Sequence, residues 1–410
     1  MLVKLAWRNL WRNKVRTAIM LGAMTFGLVG VVVMVGFITG LYGNMIQNAI
    51  AWQTSHLQVQ NTRYLTHPDI QDTLAMPDAL ARWLDSQPDI TAWSGRFIAD
   101  GMVASARSTR GIRINGVIPA QEAVVTPVAS HIIEGAWLDE QGRNPVVLSA
   151  KTAERLRLKV NTKVVLTFTD PEGEVTGAAF RVRGIYRSPI SAFDDANLFV
   201  RQSDLTQLAH MQGVHELAIL TRDGGALPHP LTDTLKQQLG GIAGPDAQVR
   251  DWQTVQPMLA AIISQMGVSN AIILGIYVLA MSFGIVNVML MSVFERTREF
   301  GVLMAVGMTK PRIFALILLE ASLLGLCGGA LGVTLAYALM GWLGRVGIPL
   351  GSMADGLSAF GADSLLYPQV APSDYLMVLL TVLAASLLSA LYPARQILKQ
   401  RPVDAMAQRY

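Results

Sequence analysis

Four stretches of the chain are nearly free of polar positions. Thr17 to Leu41, Gly267 to Phe294 and Tyr375 to Ala394 hold no charged residue, and Ile313 to Gly344 holds one, Glu320. A helix that crosses a bilayer needs roughly 20 predominantly apolar residues. The pattern therefore predicts transmembrane helices at 17–41, 267–294, 313–344 and 375–394. The apolar part of the first is far longer than the ~7–15 residues of a cleaved signal, and no A-x-A-like site follows it, so it is expected to remain as an anchor. The polar remainder falls into a leading segment 1–16, a long insert 42–266, a short connection 295–312, a loop 345–374 and a tail 395–410.

The insert is rich in turn residues and long enough for its own core, with room for two subdomains. MPDALARWLDSQ (76–87) has the apolar spacing of a short amphipathic helix. NTKVVLTF (161–168) and AFRVRGIYR (179–187) alternate like strands joined across a DPEG turn. SDLTQLAHM (203–211) predicts a helix with Ser203 as its N-cap, and SHLQVQ (55–60) alternates like an exposed strand. The fold class expected is an α-helical membrane protein with four transmembrane helices and a large mixed α/β domain inserted between the first and second.

Composition agrees with that division. The chain of 410 residues is 51% hydrophobic and 15% charged, against about 25% charged in a soluble domain. Its single cysteine, Cys327, lies in the third apolar run, so neither an intrachain disulfide nor a cysteine metal cluster is possible. Lys4, Arg8, Arg12, Lys14 and Arg16 precede the first run without an acid among them. Arg296, Arg298, Lys310 and Arg312 stand between the second and third runs, and Arg395, Lys399, Arg401 and Arg409 follow the fourth. Only Glu295, Glu299 and Asp404 oppose them. Basic residues near span ends favour the cytoplasm, which four spans satisfy when both termini and 295–312 are cytoplasmic. The whole chain is only +4, so the insert is slightly acidic and a nucleic-acid partner is not expected.

Lys4, Arg8, Arg12 and Arg16 recur every fourth residue, and Val3, Trp7, Leu10 and Trp11 form an apolar stripe beside them. This pattern predicts an interfacial helix on membrane lipid, with an ordinary basic flank as the alternative. In ERTREFGVLMAVGMTKPRIF (295–314), Glu295 to Val306 has the spacing of a stubby helix with Phe300, Leu303 and Val306 on one stripe. Arg296 and Glu299 can pair at i, i+3. Gly307 is placed to stop the helix, and Thr309 or Lys310 with Pro311 to start the next. Such a helix, rigidly joined to two spans, is a lever.

Glu320 sits about two turns into the third run, where a carboxylate is costly. Three roles are open to it: partner of a basic residue, relay of motion, or proton transfer. Gly325 with Gly329, Gly328 with Gly332, and Gly36 with Gly40 form small-xxx-small frames that let helices approach closely. Packing within the chain and a seam with a second copy are both open for those in the third run. Asn270 and Asn287 are expected to hydrogen-bond within the bundle, with a substrate role as the alternative. No catalytic constellation appears. His56, His67, His131, His210, His215 and His229 are scattered without metal spacing, and Asp194–Asp195 has the composition of a solvated turn. The chain has no GxSxG elbow and no GxxxxGK[ST] phosphate loop.

ERTREFGVLMAVGMTKPRIFALILLEASLLGLCGGALG (295–332) resembles the signature of the FtsX-like permeases, which include macrolide-exporter (MacB-type) and lipoprotein-releasing (LolC/LolE-type) ABC transporters. LYPARQILKQRPVDAMA (391–407) and AWRNLWRNKVRT (6–17) resemble the closing and opening motifs of that family. NGVIPAQEAVV, IIEGAWL and VVLSAKTAERLRLKV, within 115–160, look most like the lipoprotein-releasing branch. Two departures stand out. Asn161 replaces a common glycine, in a left-handed turn that asparagine tolerates, and Pro311 occupies a first helical turn that accepts it.

The resemblance implies that Glu295, Arg296, Arg298, Glu299, Phe300, Leu303, Val306 and Gly307 form a coupling helix docked on a separate ABC ATPase pair. That pair would hold the ATP and Mg, and this chain no cofactor and no catalytic residue. It further implies a two-lobed periplasmic domain, an inner-membrane location and pairing with a second or paralogous permease. A periplasmic chaperone or adaptor would be a further partner. ATP-driven closure is relayed outward (mechanotransmission), here for release of lipoproteins or lipid-like cargo. Tripartite efflux of a drug, toxin or peptide is the alternative, and ATP-driven regulation of a periplasmic partner such as a cell-wall hydrolase is a reading of another class.

Overall fold

The computed structural model describes residues 2–74, 76, 78–222, 230–351, 353–358 and 361–398. The predicted tail beyond 398, with Lys399, Arg401, Asp404 and Arg409, lies outside the described residues, as does His229. The chain divides into two compact units. The first comprises Met1–Leu41, Ser264–Ile348 and Leu366–Tyr410; the second comprises Tyr42–Ile263 and Pro349–Leu365.

Among the described residues, four helices are long and apolar enough to cross a membrane. They run Lys14–Ala49, Pro257–Glu295, Lys310–Val346 and Pro372–Leu398. All four overrun the charge-free stretches, the first continuing through Gly43 and Asn44 and the third stopping at Gly347, which has φ 75°. At 1.5 Å per residue the first is about 54 Å long, against a hydrocarbon core of about 30 Å. It widens into a π-helical turn over Ile50–Thr54 and stops at Ser55, which has φ 53°.

The glycine frames of the third span serve packing inside the chain, each on its own side. A Cβ on Gly328 would come within 3.3 Å of Met24, and one on Gly332 within 3.1 Å of Leu28, both in the first span. A Cβ on Gly325 would lie 2.9 Å from Ser386 Cβ, and one on Gly329 2.7 Å from Leu379, both in the fourth. The frames are offset by three residues, about 60° around a helix, which puts them on adjacent faces. One helix can therefore take two close neighbours. Gly36 and Gly40 meet the segment entering the fourth span: Val370 stands 2.7 Å from a Cβ on Gly36, and Pro368 Cα 2.8 Å from one on Gly40. The Gln369 N–H donates to the Gly36 carbonyl at 3.1 Å.

The second unit is mixed α/β. Its strands are β1 (Leu57–Asn61), β2 (Ile90–Ala104), β3 (Thr109–Val117), β4 (Ile132–Gly135), β5 (Pro145–Ser149), β6 (Lys163–Thr169), β7 (Val175–Tyr186), β8 (Asn197–Arg201), β9 (Glu216–Thr221) and β10 (Ala247–Asp251). They hydrogen-bond in the order β10-β1-β9-β2-β3-β8-β5-β7-β4, with β6 joining β2 and β7. The pairs β3–β8 and β5–β7 are parallel. The fifteen-residue β2 holds the sheet together: Ile90 to Arg96 pairs with β9, and Phe97 to Ala104 with β3. Separate apolar clusters form on its two halves, one around Phe97, Val146 and Phe180, the other around Leu57, Leu80 and Leu217.

Three local expectations are corrected here. β1 is not exposed: Leu57 to Gln60 is buried, because β10 and β9 flank it on both edges. The 203–211 helix starts at Gln202 with Arg201 as N-cap, so Ser203 lies inside it. Asp194–Asp195 is a short helix, Ser191–Ala196, rather than a solvated turn. Asp195 takes ion pairs from Lys151 at 2.6 Å, Arg110 at 2.9 Å and Arg155 at 3.0 Å. Asp194 is buried and accepts the Ser188 N–H at 3.1 Å. The loop predicted over 345–374 also has structure: Pro349–Leu365 belongs to the second unit, where Asn44 Nδ2 donates to Asp363 at 2.6 Å.

Burial pushes the Asp194 carboxyl up from 3.8 to about 6, against the hydrogen bonds from Ser188 and the charges of Lys151 and Arg187. A carboxyl raised on folding contributes stability that is complete below its unfolded value and is lost as pH rises through the folded one. The second unit should lose stability between about pH 4 and pH 6 through this group, on the order of 2–3 kcal/mol. Asp194→Asn should abolish that component. Denaturant unfolding of both proteins at the two ends of the window measures it, and equal pH dependence in the two would contradict it.

Candidate functional site

The connection between the second and third spans is built as two tight corners around a nine-residue helix. The span Pro257–Glu295 ends at Glu295, so that residue does not belong to the short helix, which runs Thr297–Ala305. Arg296 stands between the two helices with φ −105° and ψ 11°, making the first corner. At the second, the Met308 N–H donates to the Leu303 carbonyl at 2.9 Å and the Gly307 N–H to the Met304 carbonyl at 3.1 Å. This is a Schellman closure. It requires the left-handed backbone that Gly307 adopts, with φ 101°. Thr309 then occupies the N-cap position of the third span, with Pro311 in its first turn.

Arg296 ties the corner to the bundle. Its Nη1 donates to Glu320 Oε1 at 3.1 Å and its Nε to Glu299 Oε2 at 3.0 Å. The guanidinium carbon lies 5.2 Å from the centroid of the Phe300 ring. Arg296 and Glu320 are both buried. Asn9, on the N-terminal helix Leu2–Leu10, donates to the same Glu320 oxygen at 2.6 Å. Two further ion pairs reinforce the joint: Arg12 to Glu299 at 2.7 Å and Arg16 to Glu295 at 2.8 Å. Arg16 also donates to the Val288 carbonyl.

Burial alone would lower the Arg296 pKa, but the charge of Glu320 and the bonds to both carboxylates leave it raised. Burial would raise Glu299, and the hydrogen bonds from Arg296 and Arg12 bring it below the usual carboxylate range. Both groups are therefore ionised at neutral pH. Of the roles open to Glu320, the geometry realises that of structural partner to a cation.

The stripe expected to face a partner is divided. Phe300 is only 1% exposed and packs in the same apolar cluster as Ile313, Leu316 and Ile317. Leu303 is half-buried against that cluster, whereas Val306 is 82% exposed. A nine-residue helix has little stability of its own, so it spends its apolar stripe on the bundle. Its outer face is Arg298, Val302, Ala305 and Val306, with Gly307 at its end. Sequence reasoning singled out neither Val302 nor Asn9. The signal for Asn9 is its place off the Lys4–Arg8 stripe.

In the N-terminal helix, Ala6 is buried and Leu5 and Leu10 pack on the bundle, while Lys4, Arg8, Val3 and Trp7 are exposed. Trp11 follows it, exposed, with its ring 5.9 Å from that of Trp7. The apolar stripe is thus divided as well, with Leu10 inward and Val3, Trp7 and Trp11 outward. Asn270 and Asn287 do not bond within the bundle. Among the described residues neither side chain has a hydrogen-bond partner; Asn287 is exposed, and the Asn270 Oδ1 is buried and unpaired. Both lie on the second span, the least buried of the four. No group of His, Cys, Asp and Glu able to hold a metal occurs among the described residues.

Comparison with known proteins gives two family matches along the chain. Residues 17–229 match the MacB-like periplasmic core domain, and residues 271–402 the FtsX-like permease C-terminal region. The lipoprotein-releasing system transmembrane protein LolC of Neisseria meningitidis serogroup B is 23% identical over 347 residues, covering 80% of each chain. The macrolide export ATP-binding/permease protein MacB of Shewanella sp. (strain ANA-3) is 32% identical over 176 residues, 43% of this chain and 21% of that protein. The pyoverdine export ATP-binding/permease protein PvdT of Pseudomonas savastanoi pv. phaseolicola is 24% identical over 366 residues, 82% of this chain and 51% of that one. The matched part thus spans about a fifth of MacB and half of PvdT.

Removing one partner of a buried ion pair costs about 3–5 kcal/mol, because the other charge is stranded. Arg296→Met should destabilise the membrane unit by that order, and the double substitution Arg296→Met/Glu320→Met should recover most of the loss. Unfolding of the four variants of this cycle in lipid nanodiscs reads the coupling; additive losses would contradict it.

Proposed function

Because the chain belongs to the MacB- and LolC-type permeases of ABC transporters, we propose that it is the mechanical subunit of such a transporter. In this reading it lies in a bacterial inner membrane with both termini and the 295–312 connection in the cytoplasm. A separate ATPase pair binds ATP and Mg, and its closure pushes on the helix Thr297–Ala305. The observation that carries the reading is the Arg296–Glu320–Asn9 joint, which makes a push on the short helix a push on the third span and the N-terminal helix as well. The inserted domain receives that movement outside, since its chain continues directly from the helices of the first and second spans.

The cargo we infer is a lipoprotein or lipid-like molecule. Its support is the LolC relative, which aligns over four-fifths of both chains. Export of a small molecule or peptide is the second reading, favoured by the higher identity of the MacB segment. A second permease subunit, identical or paralogous, is supported by the outer face of the second span. Ile272, Ile276, Leu279 and Phe283 form an exposed stripe there that ends at the exposed amide of Asn287. An amide facing lipid is unfavourable and would gain a partner across such an interface.

The docking face is tested by substitution on the outer side of the short helix. Val306→Asp and Val302→Asp should leave the thermal midpoint unchanged and reduce ATPase binding or permease-stimulated hydrolysis about tenfold or more, the size of an interface hot spot. Phe300→Asp should instead unfold the joint. Co-purification and ATP turnover in nanodiscs measure both. Full turnover by the Val306 and Val302 variants would refute the assignment of this face.

A further inference from the structure

The inserted domain contains a cleft of about 420 Å³ that the transmission of force does not require. Its volume falls at the small end of the ~300–1,000 Å³ of small-molecule sites. Gln58 and Gln60 of β1, Arg113 of β3, Arg250 of β10, and Gln53 and Gln256 contribute polar groups to its wall. Four of these six are primary amides, each able to donate and accept at once. That chemistry matches a peptide backbone, which presents the same two functions in alternation.

The charges of the wall are not equivalent. Arg96 is buried and fully compensated, with Glu122 at 2.8 Å and Glu216 at 2.6 Å, and acts as an anchor of the fold. Arg113 pairs with Asp100 at 3.3 Å, where both are about half exposed. Arg250 has no ion pair among the described residues. Its Nη2 donates to Gln60 Oε1 at 2.5 Å, and the other end of that amide donates to Glu216 at 2.9 Å. Its Nε is buried with no hydrogen-bond partner. Burial holds the Arg250 pKa below its ordinary value, against the more distant charge of Glu216. A desolvated guanidinium without a carboxylate is the least satisfied charge in the cleft, and its geometry suits a carboxylate.

We propose that this cleft binds a short peptide, of about two or three residues by its volume, with a free C-terminal carboxylate. The carboxylate pairs with Arg250, and the peptide amides bond to the glutamine side chains. Gln53 lies in the π-helical turn Ile50–Thr54 that ends the helix of the first span, and Gln256 immediately precedes that of the second. Gln256 Nε2 donates to Gln53 Oε1 at 2.8 Å across the cleft wall. A bound peptide therefore touches both connections of the domain.

Titration calorimetry on the full chain in nanodiscs tests the proposal without any ATPase, so its outcome is independent of the transport reading. The probes are tri-alanine as the free acid, tri-alanine as the C-terminal amide, and glucuronate. The free acid should bind saturably, the amide at least tenfold more weakly, and glucuronate more weakly than either. Arg250→Gln should weaken the free acid at least tenfold at an unchanged thermal midpoint, and Arg250→Lys should keep part of the affinity. The comparison of acid with amide on the unaltered protein decides the matter even where a variant fails to fold. Absence of saturable heat, equal binding of acid and amide, or binding of glucuronate alone would each overturn the assignment.

Discussion

The buried pair of Arg296 and Glu320 is the interaction on which the membrane unit depends. It joins three elements distant in the sequence: the corner after the second span, the body of the third, and, through Asn9, the N-terminal helix. A carboxylate in an apolar bundle is tolerated only when paired and hydrogen-bonded. Glu320 has one cation and one amide. The same guanidinium holds Glu299 and covers Phe300, so orientation and apolar packing of the short helix are set at one point. Arg12–Glu299 and Arg16–Glu295 lie nearer solvent and add register rather than strength.

The glycines of the third span complete that arrangement. Because each frame receives a different neighbour, the third span contacts both the first and the fourth at close range. Close packing of this kind leaves little room for independent sliding, whereas the second span is the least buried of the four and meets the first through Tyr277, whose hydroxyl donates to the Met24 carbonyl at 3.1 Å. The second span's exposed apolar stripe, with the exposed Asn287 at its end, faces away from the bundle.

Much of this was legible in the chain. The spans follow from length and apolarity, since nothing but a membrane accommodates such runs. The left-handed turn expected at Asn161 is present, with φ 70°, as is the stop at Gly307. What periodicity did not show was which way a stripe faces. Phe300 and Val306 share a spacing, yet one closes the core and the other leaves it, because only contacts absent from the local pattern distinguish them. Asp194–Asp195 has the composition of a loop and is held by three cations from β3 and a neighbouring helix, a tertiary fact. Gln58 and Gln60 looked solvent-facing because their alternation is that of an exposed strand; they face an internal cleft instead.

The central claim is that the N-terminal helix and the short helix move as one body with the third span. Spin labels at Arg8 and Val306, with the native pair at Arg296 and Glu320 left intact, measure it by pulsed dipolar spectroscopy in the assembled complex. A single narrow distance, unchanged between the nucleotide-free and ATP-trapped states, is the predicted result. A shift of that distance, or a second population appearing with nucleotide, would show the joint opening during the cycle and contradict the claim.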